Sequence, residues 1–259
     1  MTFAHHKGGT GKTTACINVA GAAARTGARV LVVDMDPQAN ATAGLGIDVS
    51  SVSRSLADVL AGAAPLSDVI LETDSRIHVA PATLDLAGAE PYLYQLASGR
   101  LERLRTVLRP VAARYDHVLV DSPPGAGVLA LNCLAAAERV VVPLDAGVFA
   151  LEDLSALTTL LEEVARATGR RPLSDVAVVS RADRPRILDV LLGRPDPVRE
   201  VVEELTRRFR AVHVVPTDRA VFESHRRGLP LLEVAPRSPA GLAYETVAED
   251  VLDHGGDRA

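Results

Sequence analysis

The chain has 259 residues, 47% of them apolar, and a formal net charge of −5. That length suits one α/β domain over 1–259 with a large core, and the acidic balance excludes a globally basic nucleic-acid binder, leaving only a local patch for such a role. Two cysteines far apart in sequence, Cys16 and Cys133, exclude a disulfide framework and a CxxC metal site and fit a reducing compartment.

With no tryptophan and few aromatics, Ala, Val and Leu must fill the core. No signal-peptide pattern and no apolar run of membrane-spanning length are present, so a cytoplasmic location is expected.

In chain order, residues 2–4 read as the end of a short strand, followed by a glycine-rich turn over 7–14 and an Ala-rich helix over 13–24 that stops near Gly27. Continuous apolar runs predict strands at 29–34, 77–80, 117–121, 139–143, 176–179 and 212–216. Helical patterns lie between them at 99–114, 151–168, 197–208 and 240–252. Residues 50–75 read as a short helical connector, and 181–197 as irregular, rich in Arg, Asp and Pro. This alternation implies right-handed βαβ crossovers and a mostly parallel sheet with helices on both faces. Ligands then bind beyond the carboxyl ends of the strands, where the turn at 7–14 lies.

That turn reads Lys7-Gly8-Gly9-Thr10-Gly11-Lys12-Thr13-Thr14. Its second half satisfies the phosphate-loop pattern, in which backbone amides cradle phosphates and a lysine reaches the terminal oxygens. His6 occupies the first glycine position, so the strict pattern fails. Lys7 stands at the loop entrance as a second cation, available to phosphates of this subunit or another.

Two acidic strand ends follow. The first is Asp34-Met35-Asp36-Pro37, where the carboxylates can hold Mg2+ or orient water and Pro37 stiffens the turn. The second is Asp121, which ends an apolar strand ahead of Ser122-Pro123-Pro124-Gly125, the usual place for an aspartate that holds Mg2+ through water while Thr13 binds it directly. No nucleophile elbow is present, and His5 and His6, at strand spacing, are expected to face opposite ways and not to ligate metal.

These blocks together resemble the ParA/Soj branch of the ParA–MinD ATPases over almost the whole chain. Residues 7–14 are similar to the family's KGGVGKTT, and 34–42 to DxDPQGNAT, with Ala39 in place of Gly. Residues 79–90 resemble IPAxxxLAGAE, 121–124 resemble DCPP, and 215–216 with 228–230 resemble IP…GKPI. The resemblance implies a three-layer P-loop NTPase fold and a weak ATPase, with ATP and Mg2+ as cofactors, that closes as an ATP-sandwich homodimer.

By motif match, Lys7, Lys12 and Asp36 would be catalytic. Lys7 would reach the partner's ATP in trans, Lys12 would bind the β- and γ-phosphates in cis, and Asp36 would orient the attacking water. Gly8, Gly9, Thr10, Gly11, Thr13 and Thr14 would line the cradle, with Gly8 at the dimer seam. Thr13 and Asp121 would hold Mg2+, and Pro216 and Asp218 would border the adenine through backbone groups. The dimer would bind DNA non-specifically on the nucleoid, and a ParB-like protein would stimulate hydrolysis.

Departures from the family concentrate at the expected DNA face. Thr217 and Asp218 replace Arg-Asn, and Arg219 is displaced by one position. The candidate phosphate contacts are Arg184, Arg186, Arg219, Arg226 and Arg227. The alternatives are a MinD-like ATPase and an orphan ParA-like ATPase positioning another cargo. The acidic C-terminal stretch, with Glu249, Asp250, Asp253 and Asp257, argues against a membrane-binding helix. An iron–sulfur carrier would need paired cysteines that this chain lacks.

Overall fold

The fold is described from a computed structural model, which describes residues 1–145, 150–182 and 197–253. Eight strands form one sheet. They are β1 (Thr2–Phe3), β2 (Val30–Asp34), β3 (Leu71–Glu72), β4 (His78–Ala80), β5 (His117–Asp121), β6 (Arg139–Asp145), β7 (Leu173–Ala182) and β8 (Ala211–Pro216). Their spatial order is β3-β4-β2-β5-β1-β6-β7-β8. Every pairing is parallel except β3 with β4.

The alternation of strand side chains sends them to two cores. Leu31, Val33, Val140, Val142, Ala177 and Val179 pack to one face; Val30, Val32, Val141, Val176 and Val178 pack to the other. The first face is covered by α3 (Leu56–Ala61), α4 (Ala89–Gln95), α5 (Arg103–Ala112), α6 (Val128–Ala136), α7 (Ala150–Thr168) and α8 (Pro197–Thr206). The second carries α1 (Lys12–Arg25), α10 (Leu231–Val234) and α11 (Pro239–Asp253), with α2 (Asn40–Gly44) and α9 (Arg219–Arg227) beside them. The result is the three-layer, helix-flanked parallel sheet of P-loop NTPases.

β1 has only two residues, yet it is central, bonded to both β5 and β6. Thr2 is fully buried, and its hydroxyl donates to the Cys133 carbonyl at 2.9 Å.

The connector at 50–75 differs from expectation. It contains α3 but ends in β3, an antiparallel edge strand. Both residues of β3 are exposed, so it has no apolar periodicity to read. β7 extends through Arg181 and Ala182, with a register irregularity between Val179 and Ala182 where Arg181 adopts φ 55°.

Two glycines set the spacing between α2 and α9. Gly46 and Gly228 both have positive φ, and a Cβ on Gly228 would stand 2.5 Å from Gly46 Cα. Gly228→Ala therefore forces both a left-handed alanine and a backbone overlap, and it should cost about 2–4 kcal/mol of stability. Urea unfolding measures this; a midpoint equal to the parent's would mean the contact has slack.

Candidate nucleotide site

β1 ends at Phe3, and the chain turns through the glycine loop into α1. Gly9 and Gly11 adopt φ 77° and 90°, a region that glycine takes without strain. Gly11 caps α1 with no side-chain acceptor, and the helix has no acidic residue in its first turn. The leading amides of this 14-residue helix are thus available to an anion, reinforced by the helix dipole.

Gly8 is different from its neighbours. Its φ is not positive, and a Cβ added there meets nothing within 4 Å. Nothing inside this chain requires glycine at that position.

The two lysines part company in space. Lys12 is 6% exposed and its ammonium donates to the Lys7 carbonyl at 3.1 Å. Burial lowers the Lys12 pKa, opposed by the charges of Asp121 and Asp36. Lys7 is exposed at the loop entrance.

Three carboxyls converge beside the loop. Asp34 and Asp121 end β2 and β5 in the same register, both fully buried. The Thr13 hydroxyl donates to Asp121 Oδ2 at 2.7 Å, while Asp121 Oδ1 is buried without a hydrogen-bond partner. Burial, with Asp34 nearby, pushes the Asp121 carboxyl well above the usual range.

A hard dication bound by oxygen fits this place. It would meet the orphaned oxygen and supply the positive charge that burial otherwise withholds. Asp36 is buried too; its Oδ1 accepts the Gln38 amide at 2.9 Å, which holds the carboxylate in place.

Asp34, expected with Asp36 to hold Mg2+ or orient water, instead bonds within the protein. Its Oδ2 accepts the Thr42 amide at 2.8 Å and the Thr42 hydroxyl at 2.7 Å, and its Oδ1 accepts the Asp36 amide at 3.2 Å. Burial raises its pKa to about 6, against those hydrogen bonds. Thr42 Oγ1 in turn accepts the Ala82 amide at 3.0 Å, tying the segment after β4 to the same point. Ala39, standing where the family pattern has glycine, caps α2 at φ 55°. That conformation is strained for alanine.

The loop after β5 is bonded to the phosphate loop. Ser122 Oγ donates to the Phe3 carbonyl at 2.9 Å, and the Gly125 amide donates to the His6 carbonyl at 2.6 Å. His5 and His6 do not face opposite ways: their rings stack with centroids 4.9 Å apart. The chain has already left the strand at that point, so strand alternation does not apply.

Arg181, in the stretch expected to be irregular, lies near the end of β7. Its guanidinium donates to the Gly9 carbonyl and to Asp145 Oδ2, the latter at 2.7 Å, linking the loop to the ends of β6 and β7.

Among the remaining predicted residues, Thr10 is buried and its hydroxyl has no hydrogen-bond partner; the Thr14 carbonyl accepts the Asn18 amide at 2.8 Å. Pro216 ends β8. The Asp218 carboxylate caps two helices, accepting from Ala220 N at 2.9 Å and Ala240 N at 3.3 Å, so only its backbone is left for a ligand. Arg219, Arg226 and Arg227 are exposed on α9. Arg226 is held bidentately by Glu223 at 3.0 and 2.7 Å. Arg184 and Arg186 lie outside the described residues. Both cysteines are fully buried, and burial pushes their thiols well above the ordinary range.

A family model described as an AAA domain (AAA_31) matches residues 1–172. Sporulation initiation inhibitor protein Soj of Bacillus subtilis is 34% identical, with 98% of each chain covered. Chromosome-partitioning ATPase Soj of Thermus thermophilus is 38% identical, with 97% of this chain and 94% of that one covered. Among solved structures, cobyrinic acid a,c-diamide synthase from Mycobacterium smegmatis with bound ADP and magnesium is 30% identical, with TM-score 0.80, covering 99% of this chain and 94% of that one.

Proposed function

The chain belongs to the Soj/ParA family of partitioning ATPases, and from that membership we propose that it is a one-domain, ATP-hydrolysing DNA-segregation protein. Its ATP-bound dimer binds duplex DNA without sequence preference, and a ParB-like protein accelerates hydrolysis. The observation that carries the ATPase reading is the convergence of Lys12, Thr13, Asp36 and Asp121 on a glycine loop with an uncapped helix start.

The residues have distinct roles in this reading. The loop amides of 8–14 and the Lys12 ammonium hold the phosphates. Thr13 and Asp121 hold Mg2+, which supplies charge neutralisation for phosphoryl transfer. Asp36 orients a water. Pro216 and the Asp218 backbone border the base.

The dimer rests on Lys7 and Gly8. Gly8 has open space on its own chain, so a glycine there serves an approach from outside. Lys7 extends from that same exposed corner, the place from which an ammonium can cross to a facing copy's phosphates.

Lys7→Ala should leave each monomer binding ATP with near-parental Kd while turnover falls at least about 100-fold, the scale of a lost trans cation. Isothermal titration and phosphate release measure the two quantities. Unchanged turnover would assign Lys7 to the surface. The DNA reading is tested by duplex binding with a non-hydrolysable ATP analogue and with ADP. Tight binding should need the triphosphate and should weaken with salt by about 0.9 log units per phosphate contacted for each log unit of salt.

A further inference from the structure

Phe222 is the most exposed large apolar side chain among the described residues, at 76%. It lies in the middle of α9. Ala220, Val221 and Ser224 turn toward the body of the protein, whereas Arg219, Phe222, Glu223 and Arg226 share the outward face at i, i+3, i+4 and i+7. The helix does not need this ring for its own packing.

What surrounds the ring selects the occupant. In a chain of net charge −5, nine residues of α9 carry Arg219, Arg226 and Arg227 against one acid, Glu223. Glu223 is already bound to Arg226. Among the described residues Arg219 and Arg227 form no ion pair, and they flank Phe222 along about 12 Å of helix. An aromatic face between two uncommitted cations complements a polyanion that also offers flat apolar surfaces. Duplex DNA is such a polyanion, with phosphates for the arginines and the apolar sugar edges and base steps of a groove for the ring.

The helix is also fixed at both ends. Asp218 caps its start, and Gly228 at its end rests on Gly46, just after α2.

We propose that Phe222 is the base-contacting anchor of the duplex-binding face, with Arg219 and Arg227 as its phosphate contacts. This rests on the DNA-binding reading above and extends it to a residue that no motif marks. In an intact duplex the base faces are stacked on one another, so the ring meets sugar edges or wedges at a base step in a groove, an apolar contact that reads little sequence.

The absence of tryptophan gives a direct test. Phe222→Trp places a single fluorophore on the face while keeping an aromatic ring. With the ATP analogue and Mg2+, its emission should be quenched by two unrelated duplexes, at affinities within about twofold of the parent. Phe222→Ala should bind both duplexes about 10-fold more weakly, with nucleotide affinity, dimer mass and the salt slope unchanged. Arg219→Ala should instead reduce the salt slope by about 0.9.

Parental affinity in Phe222→Ala, with the parent binding DNA, overturns this assignment and leaves the DNA reading standing. Loss of dimer mass in Phe222→Ala also overturns it, making the ring a contact between protein copies. A parent that binds no duplex at any salt overturns the DNA reading itself, and the assignment falls with it.

Discussion

Lys12→Ala loses nucleotide binding, with affinity for ATP and Mg2+ reduced at least about 100-fold. The size follows from the side chain's setting. Lys12 is 6% exposed, and its ammonium is kept between the Lys7 carbonyl and the charges of Asp121 and Asp36. Two charge-assisted bonds to phosphate oxygens at about 1.5 kcal/mol each or more account for that loss. Removing the ammonium also leaves two buried carboxylates without their nearest cation, which further opposes the arrival of phosphate. Isothermal titration with a non-hydrolysable analogue reads the effect. The variant should melt cooperatively, which separates lost binding from lost folding. Near-parental affinity would remove Lys12 from the phosphates.

Asp36→Ala does the reverse: it keeps nucleotide binding and loses turnover, by about 100- to 10,000-fold. Asp36 is buried beside the loop, and its carboxylate is held by the Gln38 amide rather than by a helix or the core. Truncating it removes one hydrogen bond from a turn that Asp34 and Thr42 still secure. The fold and the phosphate cradle therefore survive. Without the group that orients water, the triphosphate state persists, and the protein should accumulate as an ATP-loaded, duplex-bound dimer. Phosphate release together with duplex retention checks both halves. Parental turnover would transfer the water-orienting role to another residue.

The glycine loop was legible because its conformational needs are written locally: positive φ at Gly9 and Gly11, then Lys12 and Thr13 at the start of an Ala-rich helix. The strands were legible where both faces are buried, as along β2 and β5, since an unbroken apolar run leaves little else to choose. β3 and α9 were not. β3 is two exposed residues, and α9 fully buries only Ser224, with Ala220 and Val221 half-buried and a phenylalanine exposed, so neither carries the expected period.

Within the site, the links missed were those between distant segments. Thr42 meets Ala82, 40 positions on, and Arg181 meets Gly9, 172 positions back. Each residue alone looks like an ordinary polar side chain; only the parallel strand order brings the partners together. Asp218 shows a different case: its side chain caps two helices, which is compatible with the expectation that only its backbone meets a ligand.

The central claim is that two copies close over two triphosphates with Lys7 crossing the seam. Light scattering after size exclusion, with Mg2+ and a non-hydrolysable ATP analogue, measures it directly. The account predicts twice the 27.3 kDa chain mass with the analogue, and the monomer mass with ADP or for Lys7→Ala. A monomer mass with the analogue bound, at concentrations well above its Kd, would contradict it.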